Sequence, residues 1–420
     1  MDVTTVFLLI GSIITIGFFA NAFFRKTKIP DLIWLLLLGL ILGPVMGIIE
    51  TGPLIDFIPA FSALALLIIL FDAGLNMNVY KLIREVPRAL LLALLGFGFS
   101  AVSVALITYY FFSLSFLKSL LLGSIVGGVS SAIVIPIVSS MKDLREEPAL
   151  IMDIESALTD PLCIVISLVL MGMITKGQSL GSVDIQGPLQ AVASSFSISL
   201  VIGFIAGLVW LFFLQVLKKN DYYYMLTLAY LFFVYPAVET LGGNGAIASL
   251  MIGIVLGNGR EFGEMLKLEN IESGLTLETK HFHANISFFV KTFFFVTLGA
   301  LIVLQDVVPI ILGVVLSLVI LVTRFIAVRI ASIGAGFTEK EKKLMTYMLP
   351  RGLAAAVLAS MPFIEYHIEG TQIFTQIVFA IIITTAIIST LGIFHTEHKK
   401  PEEETIADQI RESFEEDRYD

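Results

Sequence analysis

The chain has 420 residues, of which 57% are hydrophobic and 15% charged, and its mean hydropathy is +0.93. That balance excludes a soluble globular domain and describes a polytopic membrane protein embedded in a lipid bilayer. The net charge of −9 argues against nucleic acid as a partner, and Cys163, the only cysteine, excludes intrachain disulfides and cysteine-based metal sites.

About 20 apolar residues are needed to cross the hydrocarbon of a bilayer, and thirteen such spans are predicted. Thr4–Phe24 comes first; without a basic leader or a small-residue cleavage motif, it reads as a retained span and not a signal peptide. Asp31–Ile49 and Phe57–Asn78 follow, the latter carrying Asp72, and then Ala89–Phe112. Ser119–Ser140 holds "GGVSSAIVIP" with Ser130 and Ser131, and Ala149–Ile174 holds "IESALTDP" with Glu155, Ser156, Thr159 and Asp160. Pro188–Leu217, Tyr222–Val238 and the short, Gly-rich Gly245–Leu256 come next. Ile286–Leu304 carries Lys291, Val307–Ile333 carries Arg324, Leu344–Ile364 holds "RGLAAAVLASMP" beginning at Arg351, and Phe374–Phe394 closes the series. Residues 396–420 form an acidic tail, and His395 to Asp420 contains ten acids against four bases.

Lysine and arginine in the loops set orientation. With the N-terminus outside and the C-terminus cytoplasmic, "RKTK", "KLIREVPR", "MKDLREE", "KKND", the Asn258–Lys280 loop, "TEKEKK" and the tail all lie inside. That places 20 of the 26 basic residues inside and only Lys118 and Lys176 outside.

The fifth and twelfth spans share a pattern. Aligning Gly128 with Gly352 pairs Ser130 and Ser131 with Ala354 and Ala355. The two spans run in opposite directions, so the copies are inverted, with spans one to six matching eight to thirteen. Inverted repeats whose crossing helices are interrupted by Gly and Pro mark a transporter with its site near the midplane. Close packing of helices through small residues is the plainer reading of either motif alone.

Ionisable residues inside a span are costly and normally face a wetted pathway. Asp160 lies near mid-bilayer, with Ser156 one turn earlier and Ser130 and Ser131 reaching a similar depth from the other side. One carboxylate among hydroxyls suits an alkali cation or a proton, and no histidine cluster offers a transition-metal site. Glu155 and Arg351 fall at a similar depth, which predicts a buried ion pair. Arg324 either braces the core or tunes the site. Asp72 and Lys291, both in cytoplasmic halves of their spans, are expected to pair as a lid or to meet as an interface contact.

The chain resembles the monovalent cation:proton antiporters, most closely their NhaP-like sodium/proton branch. "GGVSSAIVIP", "ESALTDP", "NGAIASLMIGIVLGN", "FFFVTLGALI", "TRFIAVRI" and "LPRGLAAAVLA" carry the resemblance over residues 1–394. It implies an all-α fold of about 13 transmembrane helices in two inverted six-helix repeats. Within a transmembrane domain of residues 1–395, helices of about 1–78 and 222–304 would form a homodimer interface, and helices of about 89–174 and 307–394 an ion-binding core. Asp160 would be the shared cation and proton site, lined by Glu155, Ser156, Thr159, Ser130 and Ser131, with Glu155 bridged to Arg351. The implied activity, in the cytoplasmic membrane, is exchange of Na+, K+ or Li+ for H+ in pH homeostasis, with no cofactor and no enzyme chemistry. Two departures bear on mechanism. Thr159 stands where relatives carry Asn or Asp, so a second titrating carboxylate is missing, and "VSSA" is closer to the potassium-efflux branch, which leaves sodium and potassium both open. A cation channel and a sodium-coupled organic-anion symporter remain as alternatives; an intramembrane aspartyl protease would need a second aspartate near Asp160.

Overall fold

The computed structural model describes residues 3–27, 29–49, 58–77, 79–112, 114–141, 144–175, 186–217, 223–265, 277–302 and 306–398, and among them every regular element is a helix. In chain order these are α1 (Val3–Thr27), α2 (Asp31–Leu40, continued by a π turn at Ile41–Val45), α3 (Ile58–Asn76), α4 (Val79–Phe112), α5 (Phe116–Ile125), α6 (Ser131–Ser140), α7 (Glu146–Thr175) and α8 (Gln186–Leu217). They continue with α9 (Tyr223–Thr240), α10 (Gly245–Gly257), α11 (Gly259–Met265), α12 (Leu277–Ala300), α13 (Val308–Ala331), α14 (Glu339–Tyr347), α15 (Leu353–Ile364) and α16 (Phe374–His398). Among the described residues, seven of these are by length and composition able to cross a membrane, and shorter apolar helices accompany them. Nearly all of the predicted tail, Lys176 and residues 266–276 of the Asn258–Lys280 segment lie outside the described residues.

Two stretches expected as loops are helical, and the two crossing spans expected to be interrupted are broken. "KLIREVPR" is part of α4, because Lys, Leu, Arg and Glu are good helix formers and the helix runs through Pro87. "TEKEKK" opens α14 behind a reciprocal cap: Thr338 accepts from the Glu341 amide at 3.2 Å, and the Glu341 carboxylate accepts from the Thr338 amide at 2.8 Å. The fifth and twelfth predicted spans are each two short helices, broken at 126–130 and 348–352. Both breaks fall at glycines or the prolyl residue ahead of the second half, while Pro136 and Pro362 sit inside α6 and α15.

The helices pack in two groups. In one, α2 crosses α12 and α3 crosses α10, with α1 against α2, and α9 and α8 against α10. Both crossings are glycine on glycine. A methyl group on Gly39 would fall 2.9 Å from Gly299 Cα, and one on Gly253 would fall 3.1 Å from Gly74 Cα. Without a hydrophobic drive between helices in lipid, this backbone-to-backbone approach is where the contact energy comes from. In the other group α4 packs on α5, α7 and α13, α13 on α16, α6 on α7, and α15 on α16. The broken helices therefore belong to the second group, and α15 touches α3 and α12 of the first.

One end of the second group, where α7 and α14 begin, is tied by ions. Arg145, just before α7, binds both carboxylate oxygens of Glu341 and donates to Gly336 O, with its guanidinium 5.9 Å from the centre of the Phe337 ring. Arg88 of α4 reaches Glu147 of α7 at 2.6 Å and Gly334 O at 3.2 Å. The hydrogen bonds from Arg145 hold the Glu341 carboxyl below its ordinary value of 4.5, aided by the Thr338 bonds and opposed by burial. A carboxyl so depressed contributes stability that is present above its unfolded value and lost as pH falls through the folded one. Glu341→Gln is therefore expected to lower the midpoint of thermal unfolding by a few degrees at pH 7, with a deficit that shrinks below about pH 4.5. Melting curves of both proteins from pH 3.5 to 7.5 check this; a deficit independent of pH would refute it.

Candidate functional site

A helix that stops inside a membrane strands backbone amides and carbonyls that hydrocarbon cannot satisfy. Here the two breaks satisfy each other. The Ser130 amide, at the start of α6, donates to Pro350 O in the other break at 2.9 Å. Gly352 lies directly on the Ser130 side chain, so closely that a Cβ there would overlap it. Each break is also latched by a threonine of the helix behind it. Thr159 of α7 accepts from the Val129 amide at 3.0 Å and can return its proton to Val129 O at 3.2 Å. Thr385 of α16 accepts from the Arg351 amide at 3.1 Å.

Asp160 is brought to this crossing by the turn of α7 that carries Thr159. Its Oδ2 accepts from the Ser131 hydroxyl at 2.8 Å and from the Ser131 amide at 3.4 Å, so the carboxylate sits at the N-terminal end of α6. The positive end of the α6 dipole favours negative charge there. Ser156, expected to line the site, is fully buried and donates to Asp153 O at 2.9 Å. Thr159 spends its hydroxyl on the break. Of the predicted oxygen ligands, the structure brings Ser131 to Asp160 directly and places Ser130 beside it.

Glu155 does not bridge to Arg351. Its carboxylate is held by both terminal nitrogens of Arg324 from α13, the second contact at 2.8 Å, and the two side chains are 1% and 2% exposed. Arg324 Nε donates to Met345 O of α14 at 3.0 Å, so one guanidinium joins α7, α13 and α14. Equal depth along two spans had pointed to Arg351. Depth does not say which helix stands beside which, and α13, packed between α4 and α16, gives Arg324 the shorter reach.

A cavity of about 350 Å³ opens between the two helix groups. Ser130, Ser131 and Pro136 line one wall, and Asp31, Asp72, Asn76, Ser287 and Lys291 lie on the other. Lys291 does not pair with Asp72; it binds Asp31 of α2 at 2.8 Å. Asp72 instead is within hydrogen-bonding reach of Ser287 and Asn76. With one lysine against two aspartates, the lining is net negative and suits a cation. Asp31, missed in the sequence, begins α2 as the acidic residue of its first turn, right after Pro30; its position predicted a helix start, and nothing local predicted a partner 260 residues away. Among the described residues, no group of three His, Cys, Asp or Glu is arranged to hold a metal. His283 is buried with its ring edge-on to Phe71 at 5.1 Å.

A family profile described as "Sodium/hydrogen exchanger, transmembrane" matches residues 11–396. A Shewanella baltica protein named "K(+)/H(+) antiporter NhaP2" is 26% identical over 92% of this chain and 66% of its own length. A Methanocaldococcus jannaschii protein named "Probable Na(+)/H(+) antiporter 2" is 28% identical over 81% of this chain and 80% of its own. The chain thus spans just under two thirds of the length of the Shewanella relative. The solved structure of the sodium proton antiporter MjNhaP1 from M. jannaschii superposes with a TM-score of 0.74 at 23% identity, over 94% of this chain and 96% of that one, which shows a shared fold.

Two outcomes test the geometry. Glu155→Gln should destabilise the protein by about 3–5 kcal/mol, because it leaves Arg324 buried without its partner. Adding Arg324→Gln should recover part of that loss in thermal melts, and a double variant as unstable as the sum would refute the pair. In a double-mutant cycle on transport, Lys291→Gln should couple to Asp31→Asn by more than to Asp72→Asn; equal couplings would mean that Lys291 is shared evenly.

Proposed function

The chain belongs to the sodium/hydrogen exchanger family of transmembrane proteins, and on that premise we propose that it is a secondary antiporter exchanging one monovalent cation for one proton at Asp160. The observation that carries this reading is an intramembrane carboxylate held by Ser131 at the crossing of two broken helices, behind the Ser130 and Ser131 wall of a net-negative cavity. Sodium is the favoured cation. Potassium is the alternative, supported by the name of the Shewanella relative and by "VSSA" at the first break.

The proposed cycle follows from the cost of buried charge. An empty, ionised Asp160 cannot cheaply be carried past an apolar seal, whereas the same carboxylate with a bound cation or proton is neutral and can. Only loaded forms then cross, and cation flux in one direction obliges proton flux in the other. Thr159 adds no second charge, so exchange is one for one and electroneutral.

The proposed architecture has thirteen spans in two inverted repeats of six. The packing supports it: α2 on α12 and α10 on α3 become equivalent when spans two and three are matched to nine and ten, and both use a glycine pair. Thr159 and Thr385 likewise latch equivalent breaks. The first helix group would be a static, dimer-forming scaffold covering about 1–78 and 222–304, and the second the moving core of about 89–174 and 307–394. With the N-terminus outside, Asn76 and Pro136 stand at the cytoplasmic side of the cavity, so this conformation faces inward. The small, acidic cavity disfavours an organic anion as substrate, and a site closed by two crossing breaks disfavours a continuous channel.

The test is reconstitution into liposomes with an imposed pH gradient, scanned with lithium, sodium, potassium and rubidium. At least one alkali cation should dissipate the gradient; if none does, the proposal is wrong. Asp160→Asn should reduce exchange to background in a protein that still folds. The proton gradient at which flux stops should not move with membrane potential, whereas two protons per cation would couple it to about 2.3 kcal/mol per 100 mV.

A further inference from the structure

Arg351 is a buried cation without an acid. It is 1% exposed, and no carboxylate among the described residues lies within ion-pair distance of it. Its Nη1 donates to Leu349 O at 3.3 Å and its Nη2 to Ser100 Oγ at 3.4 Å, both at the weak end of hydrogen-bond geometry. Its Nε has no partner. Guanidinium offers five donors and stays charged, so a placement this poorly satisfied needs a compensating charge nearby. Glu155 is within electrostatic range but is consumed by the two bonds of Arg324, which is itself a like charge facing Arg351. Asp160 is the other acid that acts on it. The backbone makes this arrangement firm: Arg351 is pinned through its amide to Thr385, and its neighbour Gly352 lies on Ser130, next to the serine that holds Asp160.

We propose that Arg351 is the resident counter-charge of the Asp160 site, partly offsetting the empty carboxylate from a distance and thereby weakening the binding of the transported cation. The reasoning is a charge count. Two buried arginines, Arg324 and Arg351, stand near the acids Glu155 and Asp160, and one pair, Glu155 with Arg324, is closed through direct contact. The remaining Arg351 offsets part of the charge on Asp160 without touching it, so the empty carboxylate still carries an uncancelled charge and stays free to bind a cation. When a cation arrives, Arg351 loses its compensation and the new charge is repelled by it. The cation must therefore bind against that repulsion, which keeps its affinity low and its release fast. A guanidinium in contact with Asp160 would block the site; one held off by Leu349 and Ser100 tunes it. This inference rests on the exchange reading for its transport prediction, while its stability prediction is independent of what is transported.

Two measurements test it. In liposomes at alkaline pH, where protons compete least, Arg351→Gln should lower the KM for the transported cation by about tenfold, as expected for removing a unit charge on the order of 10 Å away. Arg351→Lys, which keeps the charge, should hold KM within about twofold of the parent. A KM unchanged or raised in Arg351→Gln while flux continues would overturn the proposal, as would Arg351→Lys behaving like Arg351→Gln, since that would mark a purely structural arginine. The second measurement is thermal unfolding of Asp160→Asn, Arg351→Gln and the double variant. Each single change strands one charge, so the double should melt no lower than the less stable single; additive losses would overturn the counter-charge. Should Arg351→Gln alone fail to fold, the double variant must still fold, and its failure where Asp160→Asn folds would count against the proposal. If the parent protein exchanges no alkali cation, the exchange reading falls and the melting cycle still decides the charge pairing.

Discussion

Everything in this protein depends on the crossing of two interrupted helices. Halting α5 and α14 partway across the membrane exposes backbone groups that lipid cannot satisfy, and the cost is offset locally by the Ser130 to Pro350 hydrogen bond and by the threonine latches at 159 and 385. What is gained is a helix N-terminus inside the helical bundle, with Ser130 and Ser131 open to the cavity. Asp160 needs that environment, since an ionised carboxylate elsewhere at this depth would have neither donors nor a favourable dipole. The breaks are thus the condition for the cation-binding role proposed for Asp160.

Charge pairing divides the remaining ionisable residues by task. Contact pairs brace: Glu155 with Arg324 deep in the core, Lys291 with Asp31 on the cavity wall, and Arg145 with Glu341 where α7 and α14 begin. Residues held apart from an opposite charge are the ones that can respond to a solute. Asp160 and Arg351 are such residues at the crossing, and Asp72 is one on the cavity wall. Burial makes the distinction sharp, because a contact pair inside the protein is costly to break while a distant pair can accept a third charge.

The division also explains why the cavity lies where it does. The first helix group is welded by glycine-on-glycine crossings that leave no room to slide, at Gly39 with Gly299 and Gly74 with Gly253. The second is held by the arginine braces and by α13, which contacts α4, α14 and α16. Between two bodies each tied to itself, contact across the seam is made chiefly by α15 on α3 and α12. The cavity runs along that seam, with hydroxyls on the side of the breaks and carboxylates on the other.

Much of this was legible in the chain before any coordinates. Hydropathy alone marks a multi-span membrane protein, since apolar runs of bilayer length have no other stable environment, and the expense of intramembrane charge singles out Asp160, Glu155, Arg324 and Arg351. The small-residue motifs at Gly128 and Gly352 foretold interrupted helices, because glycine is poor at continuing a helix and good at close approach. The partners of those charges were not legible. Glu155 was expected to reach Arg351 and reaches Arg324; Lys291 was expected to reach Asp72 and reaches Asp31. Both errors have the same source: distance along a span gives depth, whereas contact is decided by which helices are neighbours and which faces they turn to each other. Depth is a one-dimensional property that sequence carries directly. Lateral order is set by packing among all the helices at once, through contacts such as Gly74 on Gly253 or the α13 wedge, and only the tertiary structure decided it.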